Sequence, residues 1–351
     1  LPGVKALEPL WSQRLNDCII SAAFSSDGRY LAAAEISGKL VIFDARLGQR
    51  LREIPAHGFG ITSISWRPGT AELATAGQDG KARLWSATTA DKLAELACGA
   101  EWVEKLQFSP SGLYLATSAG KKLRLWSHTG ELLLAAPDHS STIADLEWMP
   151  ATARFPGDVL AYCGYGGLVF LKPGQAQGYK SFEYKGSMLK IRWSPDACFI
   201  GTGNQDASIQ FFVLPEGVDG PSRDLVMWGY RSKILDMAWD PQSRYLATSG
   251  SSTIIIWNCG GKGPAGSKPD MLDFHMRLIS ELAWQSSGPL LASGCEEGLL
   301  ALWRPGKASK PLATAHLGAP ISQIQWAPGD QTFLAASEDG ALNLYAIEQI
   351  K

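Results

Sequence analysis

The sequence predicts an all-β fold built from eight repeated four-stranded units. Three observations carry that prediction. A six-residue pattern (apolar, any, polar, apolar, any, aromatic) recurs eight times in 351 residues. Its closing aromatics, Phe24, Trp66, Phe108, Trp148, Trp193, Trp239, Trp284 and Trp326, are spaced by 42, 42, 40, 45, 46, 45 and 42 residues. No segment sustains a 3.6-residue apolar period, whereas turns rich in Gly, Pro and Asp separate short strands throughout.

Each repeat is read in the same order. The first strand is the pattern itself: IISAAF (19–24), ITSISW (61–66), VEKLQF (103–108), IADLEW (143–148), MLKIRW (188–193), ILDMAW (234–239), ISELAW (279–284) and ISQIQW (321–326). Only the first copy departs, with Ala22 at its fourth position. The apolar positions are the first, fourth and sixth, which is not even alternation; an extra residue between the first and fourth, as in a β-bulge, explains it. A turn such as SSDG, RPGT or SPSG follows, and then a second strand of small residues, as in YLAAA or YLATS. A tight turn leads to a third strand ending in an aromatic, as in KLVIF, KARLW and TIIIW. A more variable fourth strand, such as QRLREI or DKLAEL, precedes the next repeat.

This period, these turns and the terminal Trp resemble the WD40 family over nearly the whole chain, which is read as one domain, 1–351. The resemblance implies a β-propeller of four-stranded blades around a central channel. Eight copies imply eight blades rather than the family's commoner seven. The Asp that follows the blade Trp in the family is missing: the pairs are Trp85-Ser86, Trp126-Ser127, Trp257-Asn258 and Trp303-Arg304, and only Phe43-Asp44 keeps it. The eighth repeat stops after its third strand. EPLWSQRLNDCI (8–19) aligns without gaps to KPLATAHLGAPI (310–321), so the N-terminal strand is expected to complete the last blade and close the ring. Insertions at 149–158, 213–224 and 258–270 lengthen turns expected on one face, as solvated loops or a second contact surface.

Composition bounds the function. The chain is 45% hydrophobic and 19% charged with a formal net charge of −2, and no basic excess points to nucleic acid or acidic membranes. No apolar run approaches a membrane span, and the N-terminus shows no signal pattern; a start at Leu1 rather than Met is expected of a trimmed chain. Six cysteines without a CxxC pair are expected as free thiols in a reducing cytoplasm.

The stretch AHGFGITSISWRPGTAELATAGQDGKARLW (56–85) holds a His, a hydroxyl and an Asp, the components of a hydrolytic triad. The resemblance implies instead a structural tetrad of His, Ser or Thr, Asp and Trp. His57, Thr75, Asp79 and Trp85 match it in blade two, and His275, Ser293, Glu297 and Trp303 match it in blade seven with Glu replacing Asp. Blade five keeps Thr202 and Asp206 but has Phe212 at the Trp position, and blade four has His139 with Tyr162 at the hydroxyl position. Recurrence at one place in the repeat is what a structural role needs and a catalytic one does not.

The third pattern position reads Ser21, Ser63, Lys105, Asp145, Lys190, Asp236, Glu281 and Gln323. The resemblance places this column on the top rim, as a self-neutralising polar ring or as a surface complementary to a bound peptide. Loops entering the first strands add Phe59, Trp102, Arg231, Lys233, Met276 and Arg277, types enriched in binding hot spots. Gln78, Gln205 and Glu296 precede the turn acid and are expected to join them. The function expected is a non-enzymatic scaffold that captures a peptide or loop of a protein partner on this rim, as a monomer or a subunit of a larger complex, with no cofactor or metal. The alternative is an eight-bladed quinoprotein-like dehydrogenase with a cofactor in the channel. Adjacent cysteines and calcium ligands, which such an enzyme would add, are not recognisable, nor is any GxSxG, HExxH or Walker motif.

Overall fold

A computed structural model describes residues 4–175, 177–260, 263–264 and 266–350. Among them the only helical element is a four-residue 3-10 turn, Ile347–Ile350. The fold is an all-β propeller, and the chain divides into two compact units. One comprises Asp17–Ile191 and Gly217–Asp219; the other comprises Leu1–Asn16, Arg192–Glu216 and Gly220–Lys351.

In the first unit, repeat one pairs Ile19–Phe24, Tyr30–Glu35, Lys39–Asp44 and Arg50–Pro55 as a four-stranded antiparallel meander. Repeats two and three do the same, from Ile61–Trp66 to Lys92–Ala97 and from Val103–Phe108 to Leu132–Ala135. In the second unit, repeat six runs from Met237–Trp239 to Asp270–Asp273 and repeat seven from Ile279–Trp284 to Ala313–His316. Repeat eight contributes Ile321–Trp326, Thr332–Ser337 and Ala341–Ala346.

Eight separate blades are not what the hydrogen bonds form: the strands of the described residues make seven sheets. Repeats four and five share one six-stranded sheet, in which Asp145–Trp148, Leu160–Leu171, Lys180–Trp193, Phe199–Asn204, Ile209–Val213 and Arg223–Met227 are neighbours in that order. The reason is local. Elsewhere a loop such as AHGFG parts a fourth strand from the next first strand, but in SFEYKGSMLKIRW only Gly186 and Ser187 stand at the junction, and the 14-residue strand Lys180–Trp193 runs through them and serves as both. Leu160–Leu171 likewise runs through Gly164, Gly166 and Gly167, with a register shift between Tyr165 and Gly166.

The N-terminal pairing is present. Pro9–Arg14 lies antiparallel to Ala341–Ala346, with Pro9 opposite Tyr345 and Arg14 opposite Ala341, as the fourth strand of the repeat-eight sheet. Lys5–Ala6 goes further and adds a parallel fifth strand beside Ala313–His316 of repeat seven. Among the described residues no sheet closes on itself.

The recurring pattern has a packing cause. The first strands bulge between the first and third positions, at Ile19/Ser21, Ile61/Ser63, Val103/Lys105, Ile279/Glu281 and Ile321/Gln323. The bulge turns the first, fourth and sixth side chains inward, giving the same burial profile in each of these copies except at Trp284. Small residues fill the second strands because neighbouring sheets press on both faces, as at the fully buried Ala32, Ala33 and Ala34. In four repeats the closing Trp ties its repeat to the one before it. Trp66 Nε1 donates to the Ala23 carbonyl at 2.8 Å and Trp148 Nε1 to that of Gln107 at 3.0 Å. In the second unit Trp239 reaches the Arg192 carbonyl at 3.2 Å and Trp326 that of Ala283 at 2.9 Å. The insertion 258–270 lies partly outside the described residues.

Candidate functional site

In repeat two the loop before Ile61–Trp66 lays His57 over the second strand. Gly77 makes this possible, because a Cβ there would stand 2.0 Å from His57 Nδ1. Trp85 Nε1, a donor only, gives its proton to Thr75 Oγ1 at 3.0 Å. Asp79 Oδ1, which can only accept, lies 2.9 Å from His57 Nδ1 and takes the ring proton there, so Nε2 accepts the Thr75 hydroxyl at 2.8 Å. Arg83 donates to Asp79 Oδ2 at 2.7 Å and its guanidinium also lies against the His57 ring. Burial pushes the His57 pKa down, against the pull of Asp79. Burial works to raise the Asp79 pKa, but hydrogen bonds from Arg83 and His57 outweigh it and hold it below its ordinary value. Thr75 is fully buried, so its hydroxyl does not face a substrate.

Repeat seven differs. His275 Nε2 is 2.7 Å from Ser293 Oγ, and Trp303 Nε1 donates to the same oxygen at 2.8 Å. Glu297 stands exposed in its turn, and His275 Nδ1 is buried with no hydrogen-bond partner among the described residues. The expected four-membered chain is thus three-membered. Two further copies escaped the sequence reading because another residue replaces His. Cys98 Sγ lies 3.7 Å from Thr117 Oγ1, which accepts the Trp126 indole N–H at 2.9 Å. The Tyr230 hydroxyl lies 2.9 Å from Thr248 Oγ1 and accepts the Trp257 N–H at 2.6 Å. The available signal was spacing: His57, Cys98 and His275 each precede their Trp by 28 residues and Tyr230 by 27. In repeat five Thr202 bonds Asn204 at 3.1 Å, Asp206 accepts from Ser208 at 2.6 Å and Phe212 is buried. The His139 ring meets Tyr162 edge-on, with centroids 5.9 Å apart.

The rim candidates separate into surface and interior. In the first unit Phe59 is 69% and Trp102 55% exposed, on the loops entering repeats two and three. Gln78, Lys105 and Lys190 are half-buried. Asp145 is only 6% exposed: its Oδ2 accepts the Ile191 amide at 3.0 Å, and Lys105 Nζ approaches its Oδ1 at 4.0 Å. In the second unit Met276 is 80% exposed, and Gln205, Arg231, Lys233, Arg277 and Glu296 are also exposed. Asp236 is 3% exposed and takes the Leu282 amide at 2.9 Å and Arg192 at 3.0 Å. Glu281 is half-buried beside Gln323, whose amide donates to it at 3.5 Å. Both buried aspartates thus bind the first strand of the following repeat, which takes them off the surface the column was expected to offer. Among the described residues no group of three or more His, Cys, Asp or Glu is placed to hold a metal, and no helix is long and apolar enough to cross a membrane.

Repeated four-stranded sheets cross-linked by buried Trp–hydroxyl pairs, with large side chains left on the entry loops, define a propeller of the WD-repeat class. The chain belongs to the WD40 family, described as WD domain, G-beta repeat, whose model matches residues 48–86, 92–127, 224–258, 269–304 and 309–345, more than half of the chain. The interval between the second and third matches contains the first five strands of the six-stranded sheet. Among relatives, Actin-interacting protein 1 of Drosophila melanogaster is 20% identical over 93% of this chain and 67% of its own length. Protein HIR1 of Cryptococcus neoformans is 26% identical over 44% of this chain, and F-box-like/WD repeat-containing protein TBL1X of Mus musculus is 29% identical over 41%. This chain's match spans only 19% and 30% of those two proteins. Among solved structures, the computationally designed Ika8 protein shares the fold with a TM-score of 0.80 at 18% identity, over 98% of this chain and all of that one.

Proposed function

We propose that this protein is a non-enzymatic scaffold that captures a peptide or loop of a protein partner with the loops entering its first strands. The observation that carries the reading is the exposure of Phe59 and Trp102 on consecutive repeats of one unit. An exposed aromatic has no core to complete, and such side chains supply large contact area when a partner covers them. Arg231, Lys233, Met276 and Arg277 occupy corresponding loops of the second unit and supply charge and further apolar area. Membership of a family of interaction propellers supports protein partners in general. The relatives' own partners stay with the relatives. Six free cysteines suit a reducing compartment such as the cytoplasm.

The test is co-purification from cell extract by wild type and by the Phe59→Ala/Trp102→Ala double variant. At least one partner is expected to be lost while the thermal midpoint stays within about 2 °C of wild type, as for surface substitutions. Retention of every partner sinks the reading.

A further inference from the structure

Charge is unevenly placed on the entry loops. In the first unit the loop AHGFG of repeat two carries neither Lys, Arg, Asp nor Glu, and the loop CGAEW of repeat three carries only Glu101. In the second unit Arg231 and Lys233 stand on the loop entering repeat six and Arg277 on the loop entering repeat seven. All three are exposed, and their side chains make no ion pair or hydrogen bond among the described residues. Both loops are tied to one turn. The Ser232 amide, between Arg231 and Lys233, donates to the Gly250 carbonyl at 3.1 Å, and the Ile279 amide, two residues after Arg277, to the Ser251 carbonyl at 3.1 Å. That turn holds Ser251 and Ser252 where repeats two, five, seven and eight hold Asp79, Asp206, Glu297 and Asp339. Three cations therefore flank a neutral turn, in a chain whose net charge is −2. The neighbouring carboxylates are engaged or stand to one side. Asp236 is buried and both its oxygens are bonded, to Arg192 and to the Leu282 amide. Asp206 accepts from Ser208 at 2.6 Å, Asp273 from Thr253 at 3.2 Å and Glu281 from Gln323 at 3.5 Å. Glu296 and Glu297 are exposed and lie beyond Arg277, where the Glu296 amide bonds the Leu278 carbonyl at 3.0 Å.

We infer that the loops entering repeats six and seven bind an acidic segment of the protein partner, with Asp or Glu side chains over the serine turn and apolar side chains against Trp228 and Met276. This rests on the reading of the entry loops as the capture surface and names the chemistry of what they take. Charge complementarity carries it. An arginine forks onto a carboxylate through two parallel N–H···O bonds, and neither Arg231 nor Arg277 has such a partner within the described chain. Three like charges tied to one turn repel one another, and an anionic segment relieves that repulsion as it binds, which a neutral or basic one does not. Glu296 and Glu297 give the site a direction, because they repel an acidic segment from the repeat-seven turn and leave the repeat-six turn as its seat. Trp228, 62% exposed, and Met276, 80% exposed, stand on the same two loops and supply the apolar area that charge alone lacks.

The experiment is calorimetric titration of the full chain with the acetylated, amidated peptide EDLEDL, its neutral counterpart QNLQNL and its basic counterpart KKLKKL. EDLEDL is expected to bind saturably, at least tenfold more tightly than either counterpart, and more weakly as salt is raised. Arg231→Glu/Arg277→Glu is expected to weaken EDLEDL at least tenfold. Arg304→Glu/Lys307→Glu changes net charge equally on the turn after the third strand of repeat seven and is expected to bind as wild type does. Glu296→Gln/Glu297→Gln is expected to tighten binding about twofold. The inference is overturned if EDLEDL does not bind at millimolar concentration, if QNLQNL binds as tightly, or if the two charge-reversal pairs weaken EDLEDL alike. Should Arg231→Glu/Arg277→Glu fail to fold, Arg231→Gln/Arg277→Gln decides, with unchanged affinity overturning the inference. The two readings fail separately. Loss of a partner by Phe59→Ala/Trp102→Ala without EDLEDL binding overturns the acidic preference alone, whereas retention of every partner by that variant overturns the scaffold reading.

Discussion

His57 and His275 occupy the same place in two repeats but answer burial differently. His57 has partners at both ring nitrogens, while His275 has Ser293 at Nε2 and no partner at Nδ1. Replacing His57 with Ala leaves the Thr75 hydroxyl and Asp79 short of a partner and opens a void, which is expected to cost roughly 2–4 kcal/mol in urea unfolding. A cost below about 0.5 kcal/mol would remove the tetrad's structural role. His275 makes a pH-dependent prediction. Burial lowers its pKa from 6.5 to about 4, so the unfolded chain takes up the proton first as pH falls. Its contribution is complete above pH 6.5, declines as pH falls toward 4 and is constant below that. The total is on the order of 3 kcal/mol. Unfolding at pH 7.5 and 4.5 measures it, and His275→Gln is expected to flatten the difference; an unchanged difference contradicts the assignment.

At the scale of the element, the N-terminal segment does more than its alignment indicated. The alignment to 310–321 identifies an outer strand, and Pro9–Arg14 takes that place beside Ala341–Ala346, with Arg14 and Asp339 joined at 2.7 Å. Lys5–Ala6 also pairs with repeat seven, so one short stretch binds two repeats. Removing residues 1–14 exposes an edge strand and uncovers Tyr345 and Leu344. The thermal midpoint is expected to fall by more than 5 °C, with a rise in light scattering as the free edge pairs between chains. An unchanged midpoint would show the strand to be dispensable. The joined sheet of repeats four and five teaches the converse. The aromatics count repeats faithfully, but a count of repeats is not a count of sheets when the strand Lys180–Trp193 runs on through Gly186 and Ser187.

For the molecule as a whole, its six free thiols report packing in both units. Cys98, Cys163, Cys259 and Cys295 are buried, while Cys18 and Cys198 are half-buried. Burial raises the thiol pKa values of Cys98 and Cys163 and pushes that of Cys259 up to about 12. A thiolate reagent at pH 8 is expected to label Cys18 and Cys198 within minutes in the native protein and the other four only after denaturant is added. Rapid native labelling of all six would mean that the sheets open far more readily than their packing implies.

The sequence by itself determined the repeat, its all-β character, the bulge, the N-terminal pairing and the tetrad of repeat two. Each depends on short-range patterning of apolar, small and turn-forming residues, which recurs and can be checked copy against copy. Tertiary structure decided what depends on neighbours. It showed that Asp145 and Asp236 turn inward to backbone amides of the next repeat. It showed that Glu297 misses His275, and that Cys98 and Tyr230 stand in for histidine. It merged two repeats into one sheet. The physical reason is that a carboxylate, a thiol or an aromatic ring looks the same in a sequence whether it faces water or a partner 40 residues away; only packing assigns its contacts.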